Sequence, residues 1–266
     1  MAVVETERLG QIFVVRMNRP ERLNALNTEI RGELAQIWTD FRHDKELEVA
    51  IFTGTGRGFC AGEDMKESLQ TGVAGGRKWK IDDPFMDGRL EKPVIAAVNG
   101  FAMGGGFMLV ERTDLRLAVR EAIFEVSEAK RWLLGGYNHG HIANVPYPIA
   151  MEMALGFRFT AERFYDVGFI NRLTSAEELM PEAMKMAEHL LTLPPASRVN
   201  TVHMIRQMRP APSAQQARLA ELLHEHGAKS DLMESRAAFA EKRKPNFKGW
   251  NDPEDRYRLP TLNSVK

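Results

Sequence analysis

The stretch at residues 92–106 reads KPVIAAVNGFAMGGG. The apolar run at 93–100 ends in Asn-Gly, and this pattern predicts a buried β-strand followed by a turn. The glycines at 104–106 lead into residues that favour a helix beginning between Gly104 and Met108. This part of the chain therefore predicts a strand, a glycine-rich junction and a helix.

The same alternation extends outward in both directions from this stretch. Short β-branched runs at 11–17, 48–53 and 115–119 predict strands, and apolar residues with helical spacing predict a helix over 27–42. From about residue 176 onward the pattern is mainly helical. Strands separated by helices require crossover connections, so we expect an α/β fold with largely parallel strands followed by helices.

Composition excludes several classes of function. The chain has 266 residues, and its 36 Lys and Arg balance its 36 Asp and Glu. We therefore expect no nucleic-acid or membrane partner. Cys60 is the only cysteine, so an intrachain disulfide and a cysteine-based metal cluster are excluded, and we expect it to be a small buried hydrophobe. Without an apparent leader or a long apolar run, a soluble cytoplasmic protein is predicted.

A second glycine-containing junction, FCAGEDMK at 59–66, also follows a predicted strand. Glycines permit close backbone approach, and a helix start directs N–H groups at whatever lies there. Two such junctions could bind one oxyanion, as a thioester enolate requires. Taken singly, each junction is explained equally well by a tight turn. The spacing of GTGRG at 54–58 does not match a dinucleotide fingerprint, and no phosphate-loop Lys and hydroxyl pair follows a glycine run.

Three segments together resemble the enoyl-CoA hydratase/isomerase (crotonase) family: NRPERLNAL at 18–26, FTGTGRGFCAGEDMK at 52–66 and KPVIAAVNGFAMGGG at 92–106. The resemblance implies a spiral core of ββα repeats over 1–200, carrying the CoA-thioester site, and a helical trimerisation region over 201–266. It also implies an assembly of trimers or of dimers of trimers.

The resemblance also assigns roles to single residues. It implies that the backbone N–H groups of Glu63 and Gly105 form the oxyanion hole. It places Arg22 near the CoA phosphates and Ala61, Asp64, Met65 and Lys66 beside the adenine and pantetheine. Phe239 and Lys242 would reach the ligand of a neighbouring subunit.

Hydratases of this family use two glutamates to deliver water, and this sequence keeps one of them. The first position is Met108, whose thioether is neither acid nor base, and the second is Glu128. Glu128 is therefore the predicted catalytic carboxylate, whereas Glu121 and Glu125 are predicted to be surface or helix-start residues. Glu111, three residues after Met108, is an alternative carboxylate that more plausibly forms an ion pair with Arg112 or Arg116.

The stretch RWLLGGYNHGH at 131–141 replaces the family's usual loop beside the acyl pocket. Trp132, Tyr137 and His139 are candidates for lining that pocket, and such a change predicts an unusual substrate. A third metal ligand does not accompany His139 and His141, so no metal is expected. No cofactor is expected beyond the CoA of the substrate.

These observations favour a lyase of fatty-acid metabolism that hydrates an unsaturated, branched or cyclic, acyl-CoA. Three alternatives remain: a double-bond isomerase that uses a single Glu, a hydrolase that cleaves a C–C bond in a β-diketone-like substrate, and a non-catalytic protein that binds CoA thioesters.

Overall fold

The computed structural model describes residues 2–71, 82–131, 134–226 and 230–265. These residues form two compact units, one of residues 1–125 and 158–209 and the other of residues 126–157 and 210–266. The predicted boundary between residues 200 and 201 falls inside a helix of the first unit. As a division between a catalytic and an assembly region, it stays a prediction.

Two sheets form the centre of the first unit. The larger sheet contains, in spatial order, β1 (Val4–Leu9), β2 (Ile12–Met17), β3 (Val49–Gly54), β5 (Val94–Val98), β7 (Leu115–Val119) and β10 (Arg172–Thr174). The smaller sheet contains β4 (Gly58–Cys60), β6 (Phe101–Met103), β8 (Ile123–Glu125) and β9 (Arg158–Thr160). Pairing is parallel except between β1 and β2 and between β8 and β9.

The order of these strands repeats along the chain. Strand β3 of the larger sheet is followed by β4 of the smaller one, β5 by β6, and β7 by β8. Helices α2 (Met65–Thr71) and α3 (Gly105–Arg112) follow the first two of these strand pairs. The α/β class predicted from the sequence is confirmed, and so are the repeated ββα units that the family resemblance implied.

Helix α1 (Thr28–His43) forms because Asn27 caps it and its apolar residues share one face. The Asn27 side chain accepts a hydrogen bond from the amide of Ile30 at 3.0 Å. Trp38, on the buried face, stacks on Phe85 with ring centroids 4.8 Å apart and meets Phe52 edge-on at 5.3 Å. The first unit also contains α6 (Ala161–Asp166), α7 (Leu179–Leu191), which packs on β3 and β5, and α8 (Pro195–Gln207).

The second unit is helical. It contains α4 (His139–Ile142), α5 (Tyr147–Ala154), α9 (Ala214–Glu225) and α10 (Ser230–Ala240). Among its described residues it also has 3₁₀ helices at Ala129–Arg131, Leu134–Asn138, Pro253–Tyr257 and Leu262–Ser264. The 3₁₀ helix Pro20–Arg22 belongs to the first unit. The predicted helical character of the C-terminal region is confirmed.

Candidate active site

The glycine junction at 59–66, which comes first in the chain and is called the first junction below, lies beside the loop at 23–26. The amide of Leu26 donates to the carbonyl of Gly62 at 2.7 Å, and the amide of Asp64 donates to the carbonyl of Leu26 at 3.1 Å. Leu26 and Glu63 thus form a parallel bridge. Because the residue between two bridging groups directs its own N–H to the opposite side, the N–H of Glu63 points away from Leu26.

The three glycines at 104–106 meet different constraints. Gly104 has φ +49° and ψ −118°, a conformation that side-chain-bearing residues rarely adopt. A β-carbon at Gly106 would overlap the carbonyl oxygen of Cys60, so Gly106 is required by packing. At Gly105 the nearest atom would be the flexible Cδ1 of Leu26 at 3.1 Å. The first N–H of α3 belongs to Gly105 and meets no acceptor among the residues that the structure describes.

The two junctions approach each other at these glycines. A β-carbon at Gly62 would lie 3.4 Å from the amide nitrogen of Gly105, and one at Gly105 would lie 3.9 Å from the Cα of Gly62. Gly62 has φ +88° and immediately precedes Glu63. The sequence-predicted pairing of the backbone at 63 with the backbone at 105 is therefore geometrically feasible, and a small anion between them could accept two N–H hydrogen bonds.

Cys60 lies under this junction. Its thiol is buried, and burial raises its pKa to about 12. The Gly62 amide and the charge of Arg31 act in the opposite direction, toward a lower pKa. The prediction that Cys60 is a small buried hydrophobe is confirmed, since at neutral pH the thiol carries no charge.

Side chains of the 19–24 loop fix the first junction in place. Leu23 and Asn24 both have positive φ. The buried amide of Asn24 donates to the carbonyls of Thr55 at 3.0 Å and Gly58 at 2.8 Å. Arg19 donates to the carbonyl of Ala25 at 2.6 Å and forms an ion pair with Asp64 at 3.1 Å. Asp64, predicted to border the CoA, thus also holds the junction against this loop.

The remaining residues predicted to bind CoA lie around the same junction. Arg22 ends the 3₁₀ helix Pro20–Arg22 and is exposed, and Lys66 in the first turn of α2 is also exposed. Ala61 and Met65 are half-buried on either side of the 62–64 backbone. These positions suit contact with a ligand that lies along the junction, and their binding role stays a prediction.

Two of the predicted pocket residues lie on α3. Met108 is half-buried, whereas Glu111 is only 2% exposed. The guanidinium of Arg116 donates to the carbonyls of Val110 at 3.1 Å and of Glu111 at 2.9 Å, which ends the helix. Burial lowers the pKa of Arg116 to about 10, and the charge of Glu111 opposes this shift. The expected pairing of Glu111 with Arg116 is therefore electrostatic, and Arg116 binds the Glu111 backbone directly.

Glu125 differs from its prediction as a surface or helix-start residue. It lies on β8, is only 6% exposed, and forms an ion pair with Arg158 at 2.9 Å. Its carbonyl also accepts the amide of Gly104 at 2.8 Å. The prediction was wrong because three-residue strands such as β8 are too short to give an alternating pattern.

Glu128 lies in the second unit, just before the 3₁₀ helix Ala129–Arg131. It is half-buried, and its carbonyl accepts the amide of Arg131 at 2.9 Å. Gly136 lies directly against its side chain. A β-carbon at Gly136 would lie 3.0 Å from the Glu128 Cβ, 3.3 Å from its Oε2 and 2.6 Å from the Cγ1 of Val126. The absence of a side chain at 136 therefore leaves the space that the Glu128 carboxylate occupies.

Helix α10 supports the turn that carries Glu128. The buried hydroxyl of Ser235 donates to the carbonyl of Lys130. The Arg131 guanidinium lies 4.0 Å from the centroid of the Phe239 ring, a cation–π contact. Phe239, predicted to reach a neighbouring subunit's ligand, is 51% exposed and therefore has one face for Arg131 and further surface for other contacts.

The other predicted residues of the second unit differ in how much of each side chain is exposed to solvent. His139 begins α4 and is 7% exposed, whereas Tyr137 is 36% exposed. Lys242 is exposed just after α10 and has φ +56°. Trp132 lies outside the described residues.

Sequence reasoning missed Asn24, Arg31 and Gly136. Asn24 stood within the segment NRPERLNAL, whose three-dimensional role depends on two positive φ angles that propensity does not predict. Arg31 resembles an ordinary charged residue in the first turn of an amphipathic helix. Gly136 is one of two adjacent glycines, and nothing in the sequence distinguishes which one faces Glu128.

Residues 2–71, 82–131, 134–226 and 230–265 contain neither a metal-binding cluster nor a membrane-spanning helix. No group of three His, Cys, Asp or Glu side chains there is arranged to hold a metal ion. Likewise, none of the described helices combines the length and apolar character needed to cross a membrane.

Comparison with known proteins identifies relatives over most of the chain. The sequence profile of the enoyl-CoA hydratase/isomerase family matches residues 7–251. The chain is 33% identical to the enoyl-CoA hydratase EchA19 of Mycobacterium tuberculosis, over 93% of this chain and 99% of that protein. It is 31% identical to the mevalonyl-coenzyme A hydratase sidH of Aspergillus fumigatus, over 89% and 91% of the two chains.

A solved structure has the same fold. The crystal structure of carnitinyl-CoA hydratase from Mycobacterium avium superimposes with a TM-score of 0.79 at 28% identity, covering 93% of this chain and 99% of that one.

Proposed function

This chain belongs to the enoyl-CoA hydratase/isomerase family, and from that premise we propose that it adds water to an α,β-unsaturated acyl-CoA whose acyl group is branched or cyclic. The observation that carries the proposal is the approach of Gly62 to the amide of Gly105, which places two strand-to-helix junctions around one small space. The sidH relative, named for mevalonyl-coenzyme A, supports a branched acyl group.

The N–H groups of Glu63 and Gly105 would bind the thioester carbonyl oxygen. As water adds to the β-carbon, the electrons of the double bond move toward the thioester and leave negative charge on this oxygen. Two N–H donors stabilise that charge more strongly than they stabilise the neutral carbonyl, and removing one such donor costs roughly 2.7 to 4 kcal/mol of barrier.

Glu128 would handle the proton in both steps. Its carboxylate takes a proton from the attacking water while the water oxygen bonds to the β-carbon. The resulting carboxylic acid then gives a proton to the α-carbon of the enolate, so one molecule of water is added and Glu128 is regenerated. One carboxylate suffices for this sequence, which is consistent with Met108 at the position of the other family glutamate.

The CoA portion would lie along the first junction. Arg22 and Lys66 are exposed cations that suit its phosphates, and Ala61, Asp64 and Met65 would border the adenine and pantetheine. Phe239 and Lys242 would contact the ligand of another subunit in a homotrimer or a dimer of trimers, and the protein would be cytoplasmic. Sedimentation velocity would test the assembly.

Met108 and Glu111 on α3 stay the predicted acyl-pocket residues of the first unit, and Tyr137 and His139 stay separate predictions for the second unit. The thioether of Met108 replaces a charged group with an apolar one, which suits a bulky hydrocarbon substituent better than it suits a second water-binding carboxylate. This substitution is the reason to expect an acyl group other than a short straight chain.

The experiment incubates linear, branched and cyclic 2-enoyl-CoAs and 3-enoyl-CoAs with the protein in heavy-oxygen water and analyses products by mass spectrometry. We expect a product that has gained one heavy water, and Glu128→Gln lowers its rate at least about 100-fold. Glu121→Gln, at an exposed neighbouring carboxylate, is the matched control and keeps the wild-type rate. A panel left unchanged by the wild type, or full hydration by Glu128→Gln, contradicts the proposal.

Double-bond isomerisation is a second candidate, favoured specifically by Met108. A single carboxylate can move a proton between two carbons, whereas hydration in this family ordinarily employs two glutamates. In the same experiment an isomerase shifts the double bond of 3-enoyl-CoAs without incorporating heavy oxygen, and in a parallel reaction run in deuterium oxide it places solvent deuterium at carbon.

A further inference from the structure

Arg31 lies next to the glycines of the candidate oxyanion hole. It is the fourth residue of α1, and its Nη2 would lie 3.9 Å from a β-carbon at Gly105. The same β-carbon position is 3.9 Å from the Cα of Gly62. Covalent geometry then limits the separation between Nη2 and the Gly105 amide nitrogen to at most about 7 Å.

Arg31 is a half-buried residue. Within residues 2–71, 82–131, 134–226 and 230–265, its guanidinium forms no hydrogen bond or ion pair. Arg42, at the other end of the same helix, instead pairs with Glu91. Because a partly buried cation is stabilised by an anionic partner, an unpaired one beside these glycines points to an anion that arrives with the ligand.

A second observation places the charge of Arg31 at this junction. It lowers the pKa of the Cys60 thiol against the opposing effect of burial. Cys60 lies two residues before Gly62, so the positive potential of Arg31 reaches the interior face of the first glycine junction.

We infer that Arg31 supplies a fixed positive charge to the oxyanion hole and stabilises the enolate oxygen held by the Glu63 and Gly105 N–H groups. The inference rests on the proposed function, since it requires a thioester bound at those amides. A guanidinium is a weakly hydrated cation, so its attraction to the oxygen requires little reorganisation of solvent.

This role predicts an effect on turnover more than on binding. The substrate carbonyl is neutral overall, whereas the enolate carries a full negative charge, so attraction to Arg31 increases as the reaction proceeds. Arg31→Met is therefore expected to lower kcat about tenfold and to leave KM little changed. Arg31→Lys, which retains the charge, restores most of the loss.

Arg42→Met is the matched control for the loss of one positive charge from α1. Arg42 lies eleven residues further along the helix, about 16 Å away, and is expected to retain the wild-type kcat. An equal loss in Arg42→Met and Arg31→Met would overturn the inference, because it would reflect the net charge or stability of the helix.

A truncated substrate distinguishes a role of Arg31 at the oxyanion hole from a role in binding the CoA phosphates. Each variant is assayed with the acyl-CoA and with the matching N-acetylcysteamine thioester, which lacks every phosphate. The expected result is the same fold-loss in kcat with both substrates. A loss that disappears with the truncated thioester would overturn the inference and assign Arg31 to phosphate binding.

A spectroscopic readout is independent of hydration. Butanoyl-CoA labelled with carbon-13 at the thioester carbonyl has no double bond to hydrate, and its carbonyl stretch falls as the carbonyl is polarised. The wild type is expected to lower this frequency more than Arg31→Met does, at saturating protein. Equal frequencies in the two proteins overturn the role of Arg31, whereas an unshifted frequency in the wild type overturns the oxyanion hole itself. Failure of hydration with a retained shift affects the proposed reaction alone.

Discussion

Gly105 and Gly106 are adjacent in the chain but are expected to respond differently to the same substitution. Gly106→Ala places a β-carbon on the carbonyl of Cys60, which belongs to a buried strand, and is expected to destabilise the fold by about 2 to 3 kcal/mol. Gly105→Ala meets the movable end of Leu26 and is expected to cost less than about 1 kcal/mol. Urea unfolding followed by circular dichroism measures both.

The effect on activity should not follow the effect on stability. Gly105→Ala should lose more turnover than its small loss of stability explains. A methyl group at Gly105 would lie among Leu26, Arg31 and Gly62, beside the proposed oxyanion hole, so the folded Gly105→Ala protein should lose turnover although it unfolds near the wild-type midpoint. Equal unfolding midpoints for the two variants would contradict the packing role assigned to Gly106.

For single residues, the family resemblance implied the roles of Glu63 and Gly105, and these roles stay predictions. The structure brings the two glycine junctions that carry them close together. Arg31 could not be placed, because its importance depends on which residues of a distant segment lie opposite the first turn of α1.

The element that carries Glu128 is a short turn held between a glycine and a helix. Gly136→Ala would push a β-carbon against Val126 and Glu128 and so displace the carboxylate. We expect a loss in kcat of more than about tenfold, since small displacements of a catalytic group have large effects on rate. Steady-state kinetics with the substrate found in the hydration experiment measures this loss.

Gly32→Ala serves as the control for a glycine that faces open space. It lies within α1, no atom lies within 4 Å of its would-be β-carbon, and alanine there is expected to stabilise the helix by about 0.5 to 1 kcal/mol. A Gly136→Ala enzyme that retains full turnover would show that Gly136 does not position Glu128.

The sequence predicted the strands and helices that are long enough for their spacing of apolar residues to repeat. Strands β2, β3, β5 and β7 and helix α1 appear close to their predicted bounds. Strands β4, β6, β8 and β9 have three residues each, fewer than two full alternations, and the 3₁₀ helices near Glu128 have no distinctive spacing. The surroundings of Glu128 therefore emerged only from the structure.

In the first unit, a largely buried ion pair connects the C-terminal helix, α8, to the larger sheet. Arg206 of α8 pairs with Asp114 at 2.6 Å and donates to the carbonyl of Lys92 at 3.2 Å, and Asp114 also accepts the amide of Val94 at 2.8 Å. Both charged side chains are less than one-sixth exposed. Arg206→Met leaves Asp114 without its main counter-charge and is expected to destabilise the protein by about 3 kcal/mol in urea unfolding.

Arg172→Met provides the comparison for an exposed pair. Arg172 meets Glu182 at 3.2 Å with half of its side chain exposed, so its loss should cost less than about 1 kcal/mol. If the two variants unfold at the same urea concentration, the connection between α8 and the sheet edge does not hold the unit together.

For the molecule as a whole, the sequence predicted the class of fold but not its grouping into units. Local alternation predicts strands and helices, and the resemblance predicted the spiral. The association of residues 126–157 with residues 210–266 depends on contacts between segments far apart in the chain, such as Ser235 with Lys130, which no local pattern encodes.

Cys60 gives the protein a practical property as an experimental system. It is the only cysteine in the sequence, and its buried thiol, with a pKa of about 12, is protected from alkylation while the protein is folded. A cysteine introduced at an exposed position would therefore be the one reactive thiol on the native surface. Fluorophores or spin labels could be attached there singly, without first removing the natural residue from beneath the glycine junction.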